Sequence, residues 1–326
     1  MKAIVQDRYG GPEVLELRDI DQPVPKDNEV VVRVHAAGLD QGVQHVMTGL
    51  PYLIRLLVPT LGLRKPKVPV RGMDAAGHVE AVGEDVTRFQ PGDEVFGWCD
   101  GSYAQYACAP EDHFAPKPSN LSFEQAAVVP ISSFAALQAL RDEGEVQPGQ
   151  RVLVIGAAGG VGSFAVQLAK AFGAQVTGVC RTNCAELVRS IGADQVIDYT
   201  HEDVTDGTRH WDLIVDTAGH RSLSQLRRAL TPRGTLVIVG SEGRGRWLGG
   251  FDRPLRAVAL SRLVGQRLRM LSSKPRQQDL QVLRELIEAG KVTPVIGRAY
   301  PLSEVPQAIR YLVHGHGGGG KVVITV

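Results

Sequence analysis

Cysteine is scarce, and what there is carries no metal or disulfide pattern. Cys99, Cys108, Cys180 and Cys184 show neither C-x-x-C spacing nor the framework of a stapled secreted domain, so they read as ordinary thiols of a reduced, cytoplasmic protein. Apolar runs of membrane-spanning length are missing as well. The start, Met1-Lys2-Ala3-Ile4-Val5, lacks a signal-peptide core and reads directly as a strand. Net charge is almost absent: 36 Lys and Arg against 35 Asp and Glu leave +1, which gives no electrostatic reason to expect nucleic acid or an anionic membrane as partner. These absences leave a globular chain of 326 residues, long for one core and expected to form two domains.

To about Asn120 the chain is dense in short β-like runs broken by Gly and Pro, such as Val30–Val34, Gly77–Val82 and Asp93–Gly97, which points to a compact, largely antiparallel β domain. From Ser122 the texture changes. Ser122-Phe123-Glu124-Gln125 has the spacing of a capping box, and Phe134 to Leu140 continues as helix. Beyond the strand-like run Val152-Leu153-Val154-Ile155, strands are expected at Gln175–Val179, Gln195–Ile197, Asp212–Val215, Thr235–Val239 and Arg267–Leu271. Helices fit Cys184–Ile191, Ser222–Leu230 and Leu255–Val264 between them, the alternation of a doubly wound parallel sheet. The tail offers helices at Gln277–Ala289 and Val305–Val313. A flexible glycine-rich loop at Gly315–Gly320 precedes the strand Lys321–Val326, expected to pair back into the β domain.

The most informative stretch follows Ile155. Gly156-Ala157-Ala158-Gly159-Gly160-Val161-Gly162 is a glycine turn between a buried strand and a helix whose Val161, Ala165, Leu168 and Ala169 share one face. Its spacing, Ala157-x-Gly159-x-x-Gly162, is a variant of the dinucleotide fingerprint. Such glycines admit backbone close to a pyrophosphate, and the helix N-terminus offers free N–H groups and a positive dipole end. About 20 residues past the glycines, an NAD site carries an acid on the ribose 2′-hydroxyl. Here Val179-Cys180-Arg181-Thr182-Asn183 has no carboxylate before Glu186, and Arg181 suits bidentate contact with a 2′-phosphate. The expected cofactor is therefore NADPH, with Tyr199 near its adenosine side.

With Ala36-Ala37-Gly38, Gly72–Val79, Pro91–Val95, Leu187–Asp194, Asp216–Gly219 and Gly320–Val323 added to that turn, the whole chain resembles the zinc-free quinone oxidoreductase branch of the medium-chain dehydrogenase/reductase superfamily. The resemblance implies an α/β fold: a GroES-like β domain from residues 1–125 and 273–326, and a Rossmann NADPH-binding domain over 126–272. It places Ala158, Gly159, Gly160 and Val161 at the pyrophosphate, and Arg181, Thr182 and Tyr199 at the 2′-phosphate side. Thr217, Ala218, Val239, Gly240 and Ser241 fall near the nicotinamide ribose. Zinc enzymes of the superfamily have a Cys where this chain has Asp40 and a His where it has Met73, and their closely spaced structural cysteines are missing here. Asp40 and Asp74 alone are a poor zinc set, so no metal is expected.

Without a metal, a quinone or α,β-unsaturated carbonyl is the easier hydride acceptor, because the charge delocalises onto an oxygen that a weak acid can protonate. Candidate catalytic residues are Asp40, a proton donor if burial raises its pKa, His45 as a relay and Tyr52 as a substrate wall or phenol donor. Each also has a structural reading: a solvated carboxylate, a structural histidine, a packed ring. Relatives usually have Asn where this chain has Asp40, Asp at Val43, Trp at Gln44 and Thr at Ala135. A non-catalytic NADPH-binding protein and a zinc-free alcohol dehydrogenase or enoyl-thioester reductase are the competing readings. An exposed strand edge at Arg267–Leu271 favours a homodimer.

Overall fold

The computed structural model describes residues 1–326 except 58–60, 241–244, 246, 248, 251 and 314–318. Two large sheets organise it. The first has six parallel strands in the order Gln195–Asp198, Gln175–Cys180, Arg151–Ile155, Trp211–Asp216, Leu230–Ile238 and Arg267–Met270. Val152, Leu153, Val154 and Ile155 are buried because helices cover both faces of such a sheet, which is why the strand reads as an unbroken apolar run. Strand order reverses at Arg151–Ile155, and the crevice at that switch point is where a doubly wound sheet takes its ligand. The glycine turn leaves the strand there and runs into the helix Gly160–Ala171, which buries Phe164, Ala165, Leu168 and Ala169.

Several expected spans shift; the helix expected at Leu255–Val264 lies at Asp252–Ser261. The strand expected at Thr235–Val239 is the second half of Leu230–Ile238, which carries an irregularity opposite Trp211 and Leu213, and Val239 lies just past its end. The helix expected over Phe134–Leu140 begins earlier, at Pro130, where a proline costs no hydrogen bond in the first turn, and widens into a π turn over Ala139–Glu143. Ser122 and Gln125 form the capping box: each side chain takes the other residue's backbone N–H at the start of the helix Phe123–Ala127.

The second sheet joins the two ends of the chain. Lys321–Thr325 lies antiparallel to Glu29–Leu39, which lies antiparallel to Asp74–Val82; the registers are Val322 opposite Leu39 and Gly38 opposite Asp74. Antiparallel neighbours bring the end of one strand beside the starts of the others. Asp40, Asp74 and Lys321, far apart in sequence, therefore meet at one corner of the β domain. That corner abuts the nucleotide domain through a shared apolar core containing Ala36, Phe96 and Val323 with Phe134, Val152 and Phe164. Among the described residues, no helix is long and apolar enough to cross a membrane.

Candidate active site

The glycine turn is shaped by backbone contact that no side chain would allow. Gly156 has φ +83°, a region open to glycine at little cost. A Cβ on Gly162 would lie 2.0 Å from the Gly156 carbonyl oxygen, so helix and turn can close on each other only through glycine. Gly159 caps the helix with extended backbone, and a Cβ there would approach only the Gly156 oxygen, at 3.3 Å, so its face is open. The first amides of the helix have no intrahelical acceptor and line that open face. Ala158, Gly159, Gly160 and Val161 thus form an open cradle at the helix start, the place where the fingerprint leads one to expect a pyrophosphate. Its far wall is the end of the C-terminal glycine segment: Gly320 donates its N–H to the Ala158 carbonyl at 2.7 Å. The part of Gly315–Gly320 within the described residues is therefore docked rather than loose.

Strand register assembles the adenosine side. Asp198 pairs with Cys180, which sets Arg181 and Thr182 beside Tyr199. The Arg181 Nε donates to the Tyr199 hydroxyl at 2.5 Å, and both side chains are exposed. Thr182 is otherwise engaged. Its hydroxyl donates to Asp198, which also accepts the backbone N–H and the hydroxyl of Thr200 at 2.9 and 2.7 Å. Those hydrogen bonds, Thr182 first, hold the Asp198 carboxyl down at about 2. Arg181 is left as an exposed cation at this edge.

On the nicotinamide side, Thr217 donates to the Ile155 carbonyl at 2.8 Å, and Val239 and Gly240 donate their amides to the Asp216 carbonyl. Ser241 lies outside the described residues. One functional contact is not visible in the motifs. The buried Asp216 carboxylate accepts the amides of Ala218 and Gly219 and binds the Arg253 guanidinium at 2.5 Å, bracing the Thr217–Gly219 turn. Arg253 lies in a separate helix, Asp252–Ser261, so only the fold reveals the pair.

The corner described above holds a buried charge cluster. The Lys321 ammonium, 2 % exposed, donates to Asp40 Oδ1 and to Ser132 Oγ (3.1 Å), and lies 3.6 Å from Asp74 Oδ2. Ser132 donates to the same Asp40 oxygen at 2.5 Å, and the Asp74 Oδ1 accepts the Ile131 amide at 3.0 Å. The cluster touches the cradle itself, since a Cβ on Gly160 would meet the Lys321 side chain at 2.8 Å and Ser132 Oγ at 3.1 Å. Burial would raise the Asp40 pKa, but the Lys321 ammonium, with hydrogen bonds from Asp74, Lys321 and Ser132, more than offsets it and holds the carboxyl below its ordinary value. Asp74 behaves oppositely: burial, reinforced by the Asp40 charge, pushes it well up. The condition for Asp40 itself to hold a proton at rest is thus not met, because Lys321, known from the sequence only as part of the Gly320–Val323 motif, neutralises it.

Residues 26–119 match the alcohol dehydrogenase GroES-like domain family and residues 191–324 the zinc-binding dehydrogenase family. Human quinone oxidoreductase is 34% identical over 338 residues, covering all of this chain and 98% of the relative. The chain belongs to the quinone oxidoreductase branch of the medium-chain dehydrogenases/reductases. Among solved structures, the quinone oxidoreductase of Coxiella burnetii superposes with a TM-score of 0.85 at 30% identity, covering 100% of this chain and 99% of that one. The Escherichia coli quinone oxidoreductase complexed with NADPH gives 0.84 at 26% identity, with both chains fully covered.

In this medium-chain oxidoreductase, the remaining sequence candidates sit apart from the cluster. His45 is exposed on the helix Gly42–Thr48, with its Nδ1 2.9 Å from the Leu50 carbonyl, while Asp40 is bound by Ser132 and Lys321. Tyr52 packs edge-to-face on Trp247 of the nucleotide domain, ring centroids 5.3 Å apart, beneath the Arg55 guanidinium at 4.8 Å. It is a wall between the domains.

Proposed function

We propose that this chain reduces quinones or α,β-unsaturated carbonyls with NADPH and without a metal. The observation that carries the metal-free part is Lys321. Its ammonium already sits against both carboxylates of the corner where zinc relatives place a ligand set, and Met73 supplies no good zinc donor. Among the described residues, no group of three His, Cys, Asp or Glu side chains is placed to hold a metal ion. Two carboxylates already paired with an ammonium support the metal-free reading over the zinc in the name of the matching family.

The glycine cradle and Arg181 support the cofactor reading. When bound, NADPH supplies the hydride. The chain's own residues do the rest: helix amides and Gly159 seat the pyrophosphate, Arg181 takes the 2′-phosphate, and Thr217, Ala218 and Gly240 hold backbone against the nicotinamide ribose. Replacing Arg181 by serine is expected to weaken NADPH about 10- to 100-fold, the worth of one charge-assisted contact, while NADH binding stays as it was. Fluorescence titration with both nucleotides reads this, and equal losses for the two would contradict it. The outer strand Arg267–Met270 pairs on one side only, which supports a homodimer through that edge.

The functional test is NADPH oxidation against a quinone panel and an enone panel, with product analysis to distinguish C=C saturation from carbonyl reduction. Turnover of either class supports the proposal. Tight NADPH binding without turnover of any acceptor would replace it with a non-catalytic NADPH-binding role. Turnover of simple ketones alone would replace it with an alcohol dehydrogenase.

A further inference from the structure

The buried corner holds one more polar atom than its visible hydrogen bonds satisfy. Asp74 is fully buried and its Oδ2 accepts no hydrogen bond, with the nearest cation, Lys321, 3.6 Å away. Leaving a carboxylate oxygen dry and unpartnered costs several kcal/mol, and two carboxylates beside one ammonium leave a surplus negative charge in an apolar core. A single proton removes both problems. Placed on Asp74, it gives the orphan oxygen a proton to donate toward Asp40, the carboxylate that Lys321 and Ser132 pin through Oδ1. Asp40 is the more accessible member: its side chain keeps 14% of its surface exposed, whereas Asp74 keeps none.

We propose that Asp40 and Asp74 share one proton and form the acid that completes acceptor reduction in place of a metal. This rests on the reductase reading above. Hydride arriving on the acceptor carbon leaves an oxyanion, an enolate or a quinol anion. The Asp74 proton moves across to Asp40, which passes it from its exposed side to that oxygen, leaving both carboxylates ionised beside Lys321. Solvent then returns one proton to the pair, so each turnover consumes one reduced cofactor and one proton. Lys321 keeps the resting pair at a single negative charge, and Ser132 fixes the Asp40 orientation. The other titratable groups facing the pair are Tyr103, whose hydroxyl donates to the Gly38 carbonyl, and Cys99. Burial first, then nearby carboxylate charge, pushes both up, so each stays neutral and leaves the shared proton to the carboxyls.

Asp74→Asn is the discriminating variant, because its amide still donates to Asp40 but has no proton to pass on. The expected result is a fall in kcat of about 10²- to 10⁴-fold with enones, the worth of a general acid, with NADPH affinity unchanged. The alkaline limb of the wild-type kcat profile, where activity falls as the pair loses its proton, disappears with it. Infrared spectroscopy of the unliganded protein at neutral pH supplies a readout independent of activity: a protonated carboxyl band that shifts in D2O and is absent from Asp74→Asn. Should that variant not fold, Asp40→Asn is expected to move the wild-type band by changing its hydrogen-bond acceptor. An Asp74→Asn protein with wild-type kcat and pH profile, or a wild-type protein without the band, overturns the shared acid. Because the band needs no acceptor, a failure of the reductase reading is told apart from a failure of the dyad.

Discussion

Replacing Lys321 by methionine is expected to destabilise the protein by about 3–5 kcal/mol, the typical consequence of removing one partner from a buried ion pair. Methionine fills much of the same volume, so the loss is electrostatic: Asp40 keeps its charge while its compensating ammonium is gone. The pair lies where the C-terminal strand, the end of strand Glu29–Leu39 and Ser132 meet, so the damage reaches the contact between the two domains. The double variant Lys321→Met with Asp40→Asn is expected to recover most of the loss, because the corner is then neutral, with Asp74 protonated. Denaturant unfolding of the single and double variants measures the coupling. A Lys321→Met protein of wild-type stability would show that the cluster is not the buried ion pair described here.

Gly162→Ala carries the second large effect. Its Cβ would lie 2.0 Å from the Gly156 oxygen and 2.8 Å from the Gly156 carbonyl carbon. Both are backbone, so no flexible side chain can give way. The turn or the helix must move, at a cost of about 1–3 kcal/mol in overpacking. The larger effect is on the ligand, since the displaced segment is the cradle itself: NADPH titration is expected to show no saturable binding. Gly42→Ala, with nothing within 4 Å of the added carbon, is the matched control and is expected to leave both stability and binding in place.

The nucleotide domain was largely legible in the chain because its signals are local. An apolar strand, a glycine turn and a helical period occupy adjacent residues, and the Rossmann order follows from their alternation. Arg181 and Tyr199 were also legible as separate candidates, and the parallel register of their strands makes them a pair. Lys321 was visible only as part of a terminal motif, because its meaning depends on Asp40, 281 residues away, and on an antiparallel register that local pattern does not encode. Asp74 illustrates the same limit. Its place in Gly72–Val79 marks a strand start, whereas its proton is a consequence of complete burial beside a second carboxylate. Arg253 on Asp216 required the packing of a helix 37 residues further on. Periodicity locates strands and helices; the chemistry at their ends is set by which ends meet.

In the proposed reaction an internal lysine, and no metal, provides the positive charge at the corner of Asp40 and Asp74. The direct measurement is the rate of NADPH oxidation with a quinone by protein dialysed exhaustively against a strong chelator, compared with the same protein after stoichiometric zinc is added. Full activity in the stripped protein, with no gain from zinc, is expected. Activity lost with the metal and restored by zinc would contradict it.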